Sequence, residues 1–236
     1  MKRHWRNAAT LIVLTKQFRG GLSRRDSNTK DFDILLQTRT PNASTFPNSV
    51  VFPGGVTEAL DESEHWLRHL RSFGFTSEHF QSLHCPQIPA TPILQPDPIR
   101  RHISLRITAI RETFEELGIL IGSRTQCADK KDNWGGLILD FDSKSWQHKV
   151  SEDPRQFLTL CEELNCYPDI WALYYWSNWL TPTTYQKRFD SSFFVTALKE
   201  KPQLISNSEV AEVKINPRRL TFPDTPLNLT IRQFDD

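Results

Sequence analysis

None of the four cysteines, Cys85, Cys127, Cys161 and Cys166, forms a CxxC pair. That absence argues against a zinc ribbon or a disulfide frame, and for free thiols in a reducing compartment. Long apolar runs are missing too, since nothing approaches the roughly 20 residues that a membrane-spanning helix needs. Residues 8–14 are apolar and follow a basic MKRHWR, superficially like a secretion signal, but no small-residue cleavage pattern comes after them. They read as a strand. An excess of one charge is also lacking: 29 basic against 28 acidic residues leave a formal net charge of +1. No bulk attraction to nucleic acid or to a membrane follows, and neither is expected as a partner. Aromatics are plentiful instead, with 15 Phe and 7 Trp among 236 residues, enough for a core of useful size.

Residues 8–14 and 33–38 read as buried strands, with a polar, basic loop between them. SVVFPGGV (49–56) is a strand running into a Pro-Gly-Gly turn, and residues 61–73 have the acidic start and apolar spacing of an amphipathic helix. Five prolines make 86–98 an extended connector. A helix is expected to begin near 98–101 and to end at Gly118. Residues 153–164 suggest another helix; 169–182 and 188–198 suggest aromatic strands, and 209–215 a last strand.

Within the helix that ends at Gly118, Glu112, Glu115 and Glu116 stand at i, i+3 and i+4. At 100° per residue they share an arc of roughly 100°. Ile107, Ile110, Phe114 and Leu117 fall opposite, so the helix is expected to anchor through one side and present its acids from the other. Like charges so placed repel, so either water solvates them or something positive belongs between them. Such a cluster suits a hard divalent cation that takes carboxylate oxygens, water and substrate phosphate. Gly54 and Gly55 in FPGG let backbone approach a ligand closely, and Arg111, four residues before Glu115, is placed to pair with it.

RETFEELGI (111–119) resembles the second half of the Nudix box, R-E-U-x-E-E-x-G-U, with Thr113 at a U position, and FPGG is where such boxes begin. The resemblance implies an α/β fold, the Nudix α/β/α sandwich with a mixed sheet, and hydrolysis of a diphosphate with Mg²⁺ or Mn²⁺. It implies Glu112, Glu115 and Glu116 as metal-binding and catalytic carboxylates and Arg111 as a catalytic partner that orients them. The sequence departs from the box in two ways. Asp61 stands where counting from Gly55 calls for Glu, and the arginine expected at 69 stands at 111, 42 residues further on. One branch of the family carries such an insertion: the acyl-coenzyme A diphosphatases of the nucleoside-diphosphate-linked moiety X motif 19 type. VFPGGV, AIRETFEELG, DPRQFL, PDIWALYYWSNWLTP and RFDSSFF all resemble that branch.

The resemblance therefore implies a Nudix hydrolase domain over residues 6–215, with 62–100 inserted, acting on coenzyme A and acyl-coenzyme A. By position, the insertion is expected to shape the pantetheine or acyl pocket. Coenzyme A-cleaving members carry a motif that aligns here with Leu35, Leu36, Arg39 and Thr40, then Phe52, Pro53, Gly54 and Gly55, but Gln37 and several others differ. Arg39, Phe52, Gly54 and Gly55 are the substrate-contact candidates; Arg39 is equally readable as a strand-end arginine. Most of Trp171, Tyr174, Tyr175, Trp176 and Trp179 read as core, with one or two as stacking partners for adenine. Asp190 reads as a hairpin charge or a supporting acid. Two other functions stay open: a Nudix enzyme for ADP-ribose, NADH or capped RNA, and a silent Nudix-fold binding protein. Residues 216–236 depart from the branch, so a truncated chain lacking a closing helix is an expectation. Peroxisomal residence follows from resemblance alone, because FDD is no Ser-Lys-Leu-like signal; cytoplasm or mitochondrion are the alternatives. Oligomeric state is left open.

Overall fold

A computed structural model describes residues 5–16, 30–43, 45–84, 91–126 and 134–220. Cys85, Cys127, part of the proline-rich connector and most of the expected tail lie outside these residues. The fold is mixed α/β, as expected. Strands β1 (Arg6–Lys16), β2 (Lys30–Arg39), β3 (Val50–Val51), β4 (Gly54–Val56), β7 (Tyr174–Leu180), β8 (Phe189–Leu198) and β9 (Val210–Leu220) form one mixed sheet. Strand β1 runs parallel to β8 and antiparallel to β2 and β4. It pairs with β2 through residues 14–16 but with β4 through residues 8–10. β1 and β2 therefore splay apart at one end, and the FPGG segment fills the gap. A two-stranded ribbon of β5 (Gly122–Ser123) and β6 (Tyr167–Pro168) stands apart.

Helix α3 (Pro98–Leu117) lies across the sheet. The Asp97 side chain caps its start by accepting from the Arg100 amide at 3.1 Å, Pro98 occupies the first turn, and Gly118 ends it at φ +70°. Ile107, Ile110, Phe114 and Leu117 are fully buried against the core, as their spacing predicts, but Glu116 is also only 4% exposed. The helix is thus enclosed on nearly every side. Its acids face a cleft in the protein instead of bulk water.

Helices α1 (Glu64–Ser72) and α2 (Ser77–Gln81) come from the insertion. Their aromatics pack on α5 (Gln156–Glu163), β6 and the turn after it: Trp66 on Phe157, Phe73 on Tyr167, and Phe75 stacked on Trp171 at 3.7 Å. Helix α4 (Ser143–Glu152) has no counterpart in the sequence reading, because only Trp146 and Val150 mark its buried side. A second cluster, of Leu14, Phe32, Val195 and Ala197, contains sheet residues alone; the partly buried Ile12, Ile34 and Trp134 pack against it. The last strand runs past 215 to Leu220. Among the described residues no helix is long and apolar enough to cross a membrane.

Candidate active site

The end of α3 leaves carbonyls without helical partners, and each finds one. The carbonyl oxygen of Glu115 accepts from Gln147 Nε2 at 3.0 Å, Glu116 from the Asn207 amide at 3.1 Å, and Leu117 from the Ile205 amide at 2.9 Å. The connection from β8 to β9 is thereby docked on the helix end, which brings Glu209 to the cleft. Gln37 and Arg39 arrive from β2, and Phe52, Gly54 and Gly55 from the segment that fills the splayed sheet. Together with Glu112, Glu115 and Glu116 these residues border a cleft of about 890 Å³, apart from Gln37, which lies behind Glu116.

Arg111 is 1% exposed and organises this charge. Its Nε and one terminal nitrogen donate to both oxygens of Asp61, at 3.0 and 2.9 Å, and the latter nitrogen also to the Val56 carbonyl at 3.0 Å. The other terminal nitrogen donates to Glu112 at 3.0 Å and to Glu115 at 2.6 Å. The positive group expected among the glutamates is thus an arginine. Asp61, noted in the sequence as a departure from the box, closes the 42-residue detour: it grips Arg111 across fifty positions. Its shorter side chain is held in reach by the Glu58 amide at 3.0 Å and the Thr108 hydroxyl at 2.9 Å.

Glu116 is held separately. One carboxylate oxygen accepts from Gln37 Nε2 at 2.7 Å and the Gly54 amide at 3.0 Å; the other accepts from Arg39 at 3.2 Å. Arg39 gives its second terminal nitrogen to Glu209 at 2.6 Å, so it clamps two carboxylates. Gly54 is sterically required, and a side chain at Gly55 would displace the Glu112 carboxylate. A Cβ at Gly54 would stand 2.4 Å from the Ala9 carbonyl oxygen, and one at Gly55 2.4 Å from the Glu112 carboxylate. Here the Gly54 amide serves a protein carboxylate. Phe52 borders the cleft, half-buried.

Burial, reinforced by the charges of Glu115 and Glu116 and opposed by Arg111, pushes Glu112 up to about 8. Burial pushes Glu116 up to about 7 against the pull of Gly54, Gln37 and Arg39, and it raises Glu115 also. Burial works against the Arg111 charge, but Glu112, Asp61 and Glu115 outweigh it and raise its pKa well above the ordinary value. The set is all-oxygen, and five acids (Asp61, Glu112, Glu115, Glu116, Glu209) face two arginines; its chemistry fits a hard cation. Among the described residues, however, no three acidic, histidine or cysteine side chains converge as a ready ligand group. Glu112 and Glu115 turn toward Arg111, and Glu116 turns toward Arg39. The Oε2 atoms of Glu112 and Glu115 have no protein donor among the described residues.

Other sequence candidates lie elsewhere. Among the described residues, none of 62–100 borders the cleft. None of Trp171, Tyr174, Tyr175, Trp176 and Trp179 borders it either, because β7 is at the sheet edge beyond β8. The aromatic walls are Phe46, Phe52, Phe189 and Phe193. Asp190 is no hairpin charge: it is 1% exposed, points away from the cleft strip of Phe189, Ser191 and Phe193, and accepts from Asn178 at 2.7 Å. The sequence reading missed Glu209, which no local pattern marks. It noted Gln37 only as a mismatch, although a lone amide in a buried strand was a usable signal.

A family described as the NUDT19 Nudix domain matches residues 5–221. A Xenopus laevis protein named acyl-coenzyme A diphosphatase NUDT19 is 33% identical over 235 residues, covering 90% of this chain and 62% of the relative. The Homo sapiens protein of that name is 35% identical over 232 residues, covering 89% and 60%. The chain thus spans about 60% of the length of the curated relatives it matches. Among solved structures, a Nudix hydrolase from Alicyclobacillus acidocaldarius superposes with a TM-score of 0.59 at 20% identity, over 92% of this chain and 81% of that one. That likeness bears on the fold.

Proposed function

Because this chain belongs to the NUDT19 Nudix domain family, we propose that it hydrolyses the diphosphate of coenzyme A and acyl-coenzyme A. The products would be adenosine 3′,5′-bisphosphate and (acyl-)4′-phosphopantetheine. The observation that carries this reading is the cleft lined by three glutamates, behind which Asp61 and Arg111 are reunited across the insertion. A divalent cation, Mg²⁺ or Mn²⁺, held by Glu112, Glu115 and Glu116 would neutralise phosphate charge and acidify a water.

The chain's own residues supply the rest. Arg111 fixes one oxygen each of Glu112 and Glu115 and leaves both Oε2 atoms without a protein donor among the described residues. Glu116, with both oxygens engaged by protein donors, is the least free to rotate. A carboxylate whose proton affinity lies near neutrality is matched to accepting a proton from water at physiological pH. Glu112 and Glu116 both lie in that range, and Glu112 has the uncommitted oxygen.

The test is to incubate the purified chain with coenzyme A and Mg²⁺ and to follow adenosine 3′,5′-bisphosphate by chromatography. Product is expected from the wild type, and at least about 100-fold less from Glu115→Gln, a loss typical of removing a central catalytic group. A folded wild-type chain that releases no such product from coenzyme A or acyl-coenzyme A overturns the reading.

A further inference from the structure

Helix α5 ends in a cap that brings two thiols together. Asn165 follows its last turn with φ +46°, in the left-handed region, and its amide donates to the Glu162 carbonyl at 3.1 Å. The Cys166 amide then donates to the Cys161 carbonyl at 2.9 Å. This pair of bonds is the Schellman arrangement, in which the side chains at its two outer ends, here Cys161 and Cys166, meet. With ordinary backbone lengths, that 2.9 Å bond holds the two Cα atoms at most about 6.8 Å apart. A disulfide spans about 4.4–6.8 Å between Cα atoms. Both cysteines are free and fully buried, and the Cys161 thiol donates to the Cys166 sulfur. The cap is also where the insertion is fastened. The Cys166 carbonyl accepts from His69 Nε2 at 2.7 Å, and Tyr167, next in β6, packs on Phe73 and Phe75. Neither cysteine borders the cleft.

We propose that Cys161 and Cys166 form a reversible disulfide site that takes hydrogen peroxide as its oxidant and, once closed, locks the end of α5 to β6. Cys166 is the sulfur that reacts first. The hydrogen bond from Cys161 and the charge of Arg124 hold its thiol below the ordinary range, against burial and Asp140, whereas burial pushes Cys161 well up. Peroxide reaches the pair when the helix end frays, because a terminal turn opens far more readily than the core. Cys166 gives its proton to solvent, and its thiolate attacks one peroxide oxygen. An S–O bond forms, the O–O bond breaks, and hydroxide leaves; the sulfur is oxidised and the peroxide reduced by two electrons. That hydroxide takes the Cys161 proton and becomes water. The Cys161 thiolate then attacks the Cys166 sulfur, so that an S–S bond replaces the S–O bond. The departing hydroxide takes a proton from solvent. Two thiols and one peroxide have then become one disulfide and two waters.

The experiment uses the full chain, reduced and folded, and reads no turnover, so it is independent of the functional reading. Hydrogen peroxide is added in small excess, remaining thiols are alkylated, and the chain is digested with trypsin. One tryptic peptide, residues 156–187, carries both cysteines, and Cys85 and Cys127 fall on two others. That peptide is expected unalkylated and lighter by two hydrogens, and dithiothreitol is expected to restore it. The oxidised chain is expected to melt about 4–8 °C higher, the range for closing so short a loop in a domain of this size. Cys161→Ser is expected to leave a sulfenic acid on Cys166 that dimedone captures. Cys166→Ser is expected to leave Cys161 unreacted, and neither variant gains in melting temperature. The wild-type digest decides the question even if a variant fails to fold. A peptide that stays alkylatable in the folded chain overturns the site, as does a bridge that forms only in urea or only to Cys85 or Cys127. A Cys161–Cys166 bridge that leaves the melting temperature unchanged or lower overturns the lock.

Discussion

Two arginines stand five residues apart on α3, both buried, in opposite surroundings. Arg111 donates to three carboxylates and one carbonyl. Arg106 donates to three carbonyls, those of Leu173 at 3.1 Å, His102 at 3.1 Å and Leu83 at 3.2 Å, and lies 4.8 Å from the Phe194 ring. No carboxylate answers it among the described residues. Carboxylates raise the pKa of Arg111, whereas burial pulls Arg106 down to about 9. The difference teaches what each half of the helix is for. Around Arg111, charge is gathered: both oxygens of Asp61 and one each of Glu112 and Glu115 converge on it beside the cleft. Around Arg106, dipoles are gathered so that three segments meet: the stretch after α2 at Leu83, within the insertion, the turn before β7 at Leu173, and α3 itself. One arginine organises a site; the other fastens the insertion that interrupts the motif.

The sharpest way to break this comparison is to replace each arginine by methionine. Arg111→Met leaves Asp61 buried without its partner, which is expected to cost about 3–5 kcal/mol and to abolish coenzyme A hydrolysis. Arg106→Met leaves three carbonyls to find water or relax, at about 1–3 kcal/mol, and hydrolysis is expected to persist within a few-fold. Urea unfolding gives the first quantity and product release the second. An Arg106→Met chain that is folded but inactive would show that the two halves are not separable.

A smaller effect is the opposite pH dependence of the two halves. Burial, with the charges of Arg106 and His84, lowers His102 to about 3, and neither ring nitrogen has a partner among the described residues. The unfolded chain takes up that proton near 6.5, so this half loses stability as pH falls from 6.5 toward 3. Glu112 and Glu116 are raised to about 8 and about 7. Their contribution is full below about 4.5 and is lost as pH rises through those values. In metal-free buffer His102→Phe is expected to lessen the acid-side fall in stability, and Glu116→Gln the fall between pH 5 and 8, each by of order 1–2 kcal/mol, read as shifts in Tm. Thermal melts across pH 4 to 8.5 decide it; a Glu116→Gln curve parallel to the wild type would mean the carboxylates are effectively solvated.

The same contrast explains what was legible in the sequence. Helix α3, its glycine end and the fourfold spacing of Arg111 and Glu115 are local, and periodicity and capping reveal them. The strands follow from β-branched and aromatic runs, while their mixed pairing was implied only by the Nudix resemblance. Partners fixed by tertiary pairing were not legible. Glu209 reaches Arg39 only because the β8–β9 connection docks on the carbonyls at the end of α3, a contact with no pattern in sequence. Asp61 looked like a defect in the box until the insertion was seen to fold back on it. The insertion itself was given a role in the cleft from position alone, and its aromatics pack the other way, on Phe157, Tyr167 and Trp171.

The smallest test uses two threonines on the same helix. Thr108 and Thr113 are both buried; the Thr113 hydroxyl donates to the Ala109 carbonyl at 2.7 Å, whereas the Thr108 hydroxyl has one proton to share between the Ser104 carbonyl at 3.0 Å and a carboxylate. Only Thr108 also reaches Asp61, at 2.9 Å. Valine keeps the shape of both and removes only the hydroxyl, and the helix propensities of the two residues are close. At position 113, where the box has an apolar residue, the lost bond duplicates one that the backbone already makes, so Thr113→Val is expected to cost under about 0.5 kcal/mol. At position 108 a buried carboxylate loses a donor, and Thr108→Val is expected to cost about 1–2 kcal/mol and to slow hydrolysis several-fold through a looser Arg111. Equal costs at the two positions would mean that Asp61 needs no hydroxyl to hold Arg111, and that the Val56 carbonyl and Glu58 amide suffice.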